Sequence, residues 1–184
     1  MKRILASTIL LSIVACVQTT KQQSEDNNSP TINDWNTFKQ SNYSISYPPT
    51  WELNKSGEMG TIFIILSPLE SDNDIFRENI NFMTQDLSGL NIDLDKYTAI
   101  SEEQVKTLIS NSTFIESKRI KNEKGEYHKL IYTGDQGIYH LIFEQYYWVV
   151  DDKAYVLTFT SEQEKFDNFK KTGEKILNSF KINK

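Results

Sequence analysis

The chain has little of what staples a fold or binds metal. Its 184 residues include one Cys, two His, four Pro and seven Gly. One Cys excludes a disulfide framework and a Cys-based zinc site within the chain. Two His speak against a multi-His metal site, so no metal is expected. Basic residues are the minority, 20 against 25 acidic, for a net charge of −5. That balance excludes a phosphate-tracking surface, and no nucleic-acid partner is expected. There is no Gly-x-Ser-x-Gly elbow and no Gly-rich loop ending in Lys-Ser/Thr. No apolar run reaches the roughly 20 residues that span a bilayer. Aromatics, by contrast, are plentiful: 10 Phe, 9 Tyr and 3 Trp. Such a chain can build a core without staples.

The lone Cys lies where it carries information. Met1-Lys2-Arg3 is a cationic start, Ile4 to Val14 is apolar with small hydroxyl residues, and Ile13-Val14-Ala15-Cys16 closes the run. A charged, then apolar, then small-residue segment has the pattern of a secretory signal. With Ala before the Cys and a hydrophobic residue three before it, the segment resembles the bacterial lipobox. The resemblance implies cleavage before Cys16, acylation of its thiol, and attachment to a membrane through the N-terminal acyl chains. Two or three chains hold stably where one holds marginally. Residues 1–15 are thus expected to be a signal peptide and 16–34, poor in apolar residues, a lipidated flexible tether. Losing Lys2 and Arg3 takes the net charge from −5 to −7. Val17 in place of Asp favours the outer membrane if the cell is Gram-negative. The expected location is the bacterial cell envelope.

Residues 35–184 form the expected domain. Trp35–Lys39 and Tyr43–Tyr47 alternate around Gln40-Ser41-Asn42 as a hairpin, and Pro48-Pro49 stops the ladder. Thr61–Ser67 is an apolar run of strand length. Arg77–Leu87 reads as a strand. Asp93 caps a helix with Leu94, Tyr97, Ser101, Val105, Leu108 and Ile109 at helical spacing. Strands follow at Thr113–Lys121, Glu126–Gly134, Gly137–Val150 and Lys153–Thr160. Their breaks fall at Asn122–Gly125, Asp135-Gln136 and Asp151-Asp152, short enough for antiparallel neighbours. Ser161-Glu162-Gln163-Glu164 has the form of a capping box. Phe166, Phe169, Gly173, Ile176, Leu177 and Phe180 then make one helical stripe. The fold class is α+β, a mostly antiparallel sheet flanked by helices in an α/β/α sandwich.

Candidate chemistry is sparse. Asp72-Asn73-Asp74 lacks the Gly and distal Glu of a calcium loop and reads as solvated. Glu102-Glu103 reads as exposed helix surface. With Cys16 acylated no thiol nucleophile remains, so no catalytic residue and no cofactor are assigned. If Asp135-Gln136 is a two-residue turn, Ile131 opposes His140 and Lys129 opposes Ile142. Lys129, His140 and Glu144 then share one face with Tyr146 and Trp148, and His128 takes the other. Lys129, His140, Glu144, Tyr146 and Trp148 are the candidate contacts of a ligand or partner. A local exposed ion pair is the plainer reading of the same register.

Tyr43-Ser44-Ile45-Ser46-Tyr47-Pro48-Pro49-Thr50-Trp51 resembles the opening of PsbP-like proteins. Ala154–Thr160 and a helix ending Ile176-Leu177-Asn178-Ser179-Phe180 resemble their close. The resemblance spans most of residues 35–184 and implies a non-enzymatic, partner-binding module. Its motifs are structural, so no functional residue is carried over. The leading expectation is a lipid-anchored, extracytoplasmic binding or assembly module with a protein partner in an envelope complex. A small-ligand carrier with a cleft between sheet and helix is the second, and a hydrolase with an unrecognised site the third.

Overall fold

The computed structural model describes residues 34–122 and 125–183. The expected signal peptide, Cys16 and nearly all of the tether lie outside them. Ten strands and two helices run in the order β1(Asn36–Lys39), β2(Tyr43–Tyr47), β3(Glu52–Asn54), β4(Phe63–Leu66), β5(Asn79–Asp86), α1(Leu94–Leu108), β6(Ser110–Asn122), β7(Gly125–Gln136), β8(Tyr139–Val150), β9(Lys153–Glu162), α2(Phe166–Ser179) and β10(Lys181–Ile182). Seven strands form one sheet in the order β3-β4-β5-β9-β8-β7-β6, and β1-β2-β10 form a second, small one. Every pairing among them is antiparallel.

The large sheet is covered on both faces, as an α/β/α arrangement requires. On one face Leu94 and Val105 of α1 pack with Leu130, Tyr132, Phe143, Tyr147 and Val156. On the other, Ile176 and Leu177 of α2 join Tyr43 and Ile45 of the small sheet over Phe63, Phe82, Leu157 and Phe159. The α2 helix lies against the sheet at Gly173, where an added Cβ would come within 2.7 Å of the Phe159 ring. Ser179 ties α2 to β2, its Oγ accepting from the Ser46 N–H at 2.9 Å and donating to the Ser46 carbonyl at 3.0 Å. Strand β4, Phe63–Leu66, is buried throughout, as its unbroken hydrophobicity implies, with Ile62 before it partly buried. Asp93 caps α1 by accepting from the Lys96 N–H at 2.9 Å.

Several expectations fail for local reasons. The turn between β7 and β8 is Gly137-Ile138, not Asp135-Gln136. Gly137 supplies the left-handed φ of 60° that the turn needs, so the ladder continues through Asp135↔His140. Ile131 therefore faces Glu144 and Lys129 faces Tyr146. Each partner moves by four residues, an even step, so every side chain keeps its expected face. Ser161 is not a cap: β9 runs on through Glu162, a single 3-10 turn follows, and α2 begins at Phe166 without a side-chain cap. Phe180 lies just past α2 in extended conformation, yet buried. Strands β3 and β10 were too short to show a period. Asp74 is not solvated, because it organises its loop by accepting the backbone N–H of Glu70 and of Phe76. The ladder irregularities fall in β6, between Ser110 and Glu116, and leave the β7–β8 pairing intact.

Candidate functional site: an aromatic cleft over a buried ion pair

Alternation along β7 and β8 sends Tyr127 and Lys129, Glu144, Tyr146 and Trp148 to the α2 face. A cleft of about 280 Å3 opens there beside α2. It is lined by Tyr127, Tyr146 and Trp148 from the sheet, Leu177 and Asn178 from α2, and Phe180, Lys181 and Ile182 from the closing segment, with Asn122 at its end. Tyr127 stacks on Tyr146 at 4.8 Å between ring centroids and lies 5.3 Å from Trp148. Phe180 meets Trp148 at 5.2 Å. The result is an apolar wall with amide and ammonium groups at its rim, the usual composition of a small binding site.

Beside these rings lies the polar spot that the sequence suggested. Lys129 Nζ sits 2.9 Å from Glu144 Oε1, and Glu144 is fully buried. Glu116 of β6 and Glu174 of α2 stand at 3.6 and 3.7 Å from the same ammonium. Burial pushes the Glu144 carboxyl up, and Lys129 only partly offsets it. Burial works against the Lys129 charge too, but Glu144 and then the other carboxylates outweigh it and hold its pKa high. Burial, then the Glu144 charge, likewise drives the Tyr146 hydroxyl up, so it stays a neutral donor. Lys129 Nζ lies 6.0 Å from the Tyr146 ring centroid, at the limit of a cation–π contact.

Four of the five candidate contacts are thus gathered, and one is not. His140 lies exposed near the start of β8, where Nδ1 pairs with Asp135 at 2.6 Å. The ion pair is also not the exposed one expected, because α2 lies over it, with Glu174 reaching the same ammonium and Gly173 against Phe159, the strand partner of Glu144. Sequence reasoning missed Tyr127, Asn178, Phe180 and Lys181 as cleft residues. Tyr127 had a signal, its parity with Lys129. The closing segment had none, since it returns from far along the chain.

The opposite face carries the second polar constellation. His128 Nε2 lies 2.8 Å from Ser117 Oγ, and that hydroxyl donates to Glu102 of α1. Glu102 is therefore a tie between helix and sheet, not free helix surface. A nucleophile–base pair needs the serine proton to go to the imidazole. Here the carboxylate takes it, and the serine oxygen accepts from the His128 N–H. Burial lowers the His128 pKa. Neither residue lines the cleft. His128 and His140 project from opposite faces, and among the described residues no cluster of three His, Cys, Asp or Glu is placed to hold a metal ion. No described helix is long and apolar enough to cross a membrane.

Solved structures share this architecture at low identity. CyanoP, the cyanobacterial PsbP of Synechocystis sp. PCC 6803, matches with a TM-score of 0.58 at 13% identity, covering 86% of this chain and 98% of its own. LpqN of Mycobacterium tuberculosis, described as involved in cell envelope biogenesis, gives 0.62 at 14% identity, with 83% and 95% covered. A protein of unknown function from Pseudomonas aeruginosa gives 0.57 at 11%, with 79% and 94% covered. At such identities the likeness is one of fold. No curated protein sequence matches significantly. The family model described as PsbP-like protein matches residues 3–182, and with that extent of agreement the chain belongs to the PsbP-like family.

Proposed function

We propose that the chain is a non-catalytic binding or assembly module of the bacterial cell envelope, anchored by lipid at Cys16, whose occupant enters the cleft beside α2. The observation that carries the reading is the cleft itself. Its aromatic walls stand on the paired strands β7 and β8, amide and ammonium side chains from three elements line it, and a buried ion pair joins the same two strands beside it. Such a place binds by shape and hydrogen bonding. The lipobox pattern and the likeness of fold to LpqN, a protein involved in cell envelope biogenesis, support the location. A volume of about 280 Å3 suits an anchor side chain of a protein partner, the leading reading, in the manner of an interface hot spot. It also suits a compact small molecule, which the enclosure between sheet and C-terminal segment favours as the second reading.

The test is native mass spectrometry of the full chain taken from membranes of its own organism in mild detergent. A stoichiometric protein supports the first reading and a bound small molecule the second. Acyl mass on Cys16 supports the anchor. Turnover across a panel of hydrolase substrates would overturn the non-catalytic reading.

A further inference from the structure

The outer layer that covers the α2 face is basic in a protein that is acidic overall. Lys170, Lys171 and Lys175 are exposed on α2. Lys39 and Lys181 both oppose Ser44 across β2, so they leave the small sheet on one outward side. The acidic residues of α2 are Asp167 and Glu174, and Glu174 faces Lys129. On the far side of the molecule Asp93, Asp95, Glu103, Asp151 and Asp152 are exposed around α1. The α1 side also exposes Lys96, Lys106 and Arg119, so its charges are mixed, whereas α2 itself exposes three lysines against Asp167.

The chain enters the domain on the basic side. Trp35 lines a small cleft with Trp51, Lys171 and Lys175. Eighteen residues lie between Cys16 and Trp35. At full extension they reach no more than roughly 65 Å. An anchor at Cys16 is thus joined to the domain beside Lys171 and Lys175, and the charge of that side, not the length of the tether, sets which face meets the bilayer. Trp35 adds the side chain that favours a membrane–water interface.

We infer that the α2 layer is a docking surface for an anionic lipid bilayer, centred on Lys171 and Lys175 with Trp35 at its edge. The inference rests on the anchored reading above. Each lysine near an anionic surface changes the partition roughly fivefold, and the mixed charges of the α1 side give the same lipid no comparable hold. The cleft's mouth, with Lys181 on its rim, then lies beside the membrane.

The full acylated chain is reconstituted in phosphatidylcholine vesicles and in vesicles holding about 30% phosphatidylglycerol. Lysine acylation is read residue by residue by mass spectrometry. On the anionic vesicles Lys171 and Lys175 should lose at least about threefold in reactivity and regain it near 1 M salt, where charges are screened within about 3 Å. Lys96 and Lys106 on α1 serve as controls and should not change. Lys171→Glu with Lys175→Glu should abolish the protection left at Lys170 and Lys181, with unchanged circular dichroism. Equal reactivity on both vesicles, protection that salt does not relieve, or protection on α1 would overturn the inference. Intact mass separates this outcome from the anchor. If Cys16 carries no acyl group the anchor reading fails. Sedimentation of the unacylated chain with anionic but not neutral vesicles would still support docking, and its absence would overturn it.

Discussion

The two faces of the large sheet are built from the same strands and solve different problems. On the α1 face, polar side chains are consumed in tying helix to sheet. Glu102 accepts from Ser117, which also meets His128, Tyr97 donates to Gln85 at 3.2 Å, and Arg119 holds Asp95 and Glu126. On the α2 face, the roof is two elements side by side, a helix and a small sheet closed by the C-terminal strand. Where they end, the aromatic floor is left open as a cleft. A cleft also opens at the start of α1, but its walls are the charged Asp93, Arg119, Glu126, Asp151 and Asp152, whereas the gap at the edge of the composite roof is walled by aromatic rings. The gap is where a binding site is available.

The largest effects should come from the composite roof. Phe180 closes it against Tyr43, Phe82 and Trp148 at 5.0 to 6.0 Å. Phe180→Ala should destabilise by about 3–5 kcal/mol, read as a shift in the chemical-unfolding midpoint. An unchanged midpoint would mean that the closing segment does not hold the roof down.

Lys129 should be comparable but pH-dependent. Lys129→Met leaves the Glu144 carboxylate buried and unpaired, at about 3–5 kcal/mol near pH 8. The loss should shrink as pH falls and Glu144 takes a proton. Adding Glu144→Leu should restore most of the stability. A variant that is equally unstable at every pH would show a packing role instead.

A third test lies beyond either face, where Glu78 is buried between the hydroxyls of Ser67 and Ser161, each 3.4 Å away. Burial pushes its carboxyl from 4.5 to about 7, with Lys165 opposing and Asp74 and Glu162 adding to the shift. A folded-state pKa raised in this way lowers stability above pH 7, and the loss is relieved as pH falls toward 4.5. Glu78→Gln should therefore gain about 3 kcal/mol at pH 8 and little at pH 5. His128 has the opposite sign. Its lowered pKa gives stability that is full above about pH 6.5 and is lost as pH falls. Urea titrations of wild type and Glu78→Gln across this range separate the two, since only the variant should decline steadily below pH 6.5.

The smallest effect belongs to the α1 face. Ser117→Ala removes the hydroxyl between Glu102 and His128 and should cost about 1–2 kcal/mol. Amide exchange in α1 should quicken while exchange in α2 stays unchanged, which would show the two roofs to be independent.

Much of this contrast was legible before the structure. Alternation placed Lys129, Glu144, Tyr146 and Trp148 on one face and His128 on the other, although the turn was misread at Asp135-Gln136. The error did no harm because two strand partners that slip by four residues keep their faces. Helix α1 showed itself through Asp93 and its apolar spacing. The capping box at Ser161 misled because a local motif cannot report that β9 continues to Glu162. The burial of Glu144 and the cleft were not legible, since the first depends on α2 settling over β8 and β9 and the second on Phe180 and β10 arriving beside β8 and β2. Contacts of that range leave no period in the sequence. Glu116 and Glu174 met Lys129 for the same reason.

The claim that the gap in the composite roof is the binding site is most directly tested by filling it. Asn178 lies exposed on the cleft's rim, and Asn178→Trp places an indole there without touching the core. The native mass spectrum of this variant, taken from its own membranes beside wild type and Ser117→Ala, is the measurement. The occupant should be present in wild type and in Ser117→Ala and absent from Asn178→Trp, with folding intact in all three. An occupant retained by Asn178→Trp, or lost only in Ser117→Ala, would place the site elsewhere.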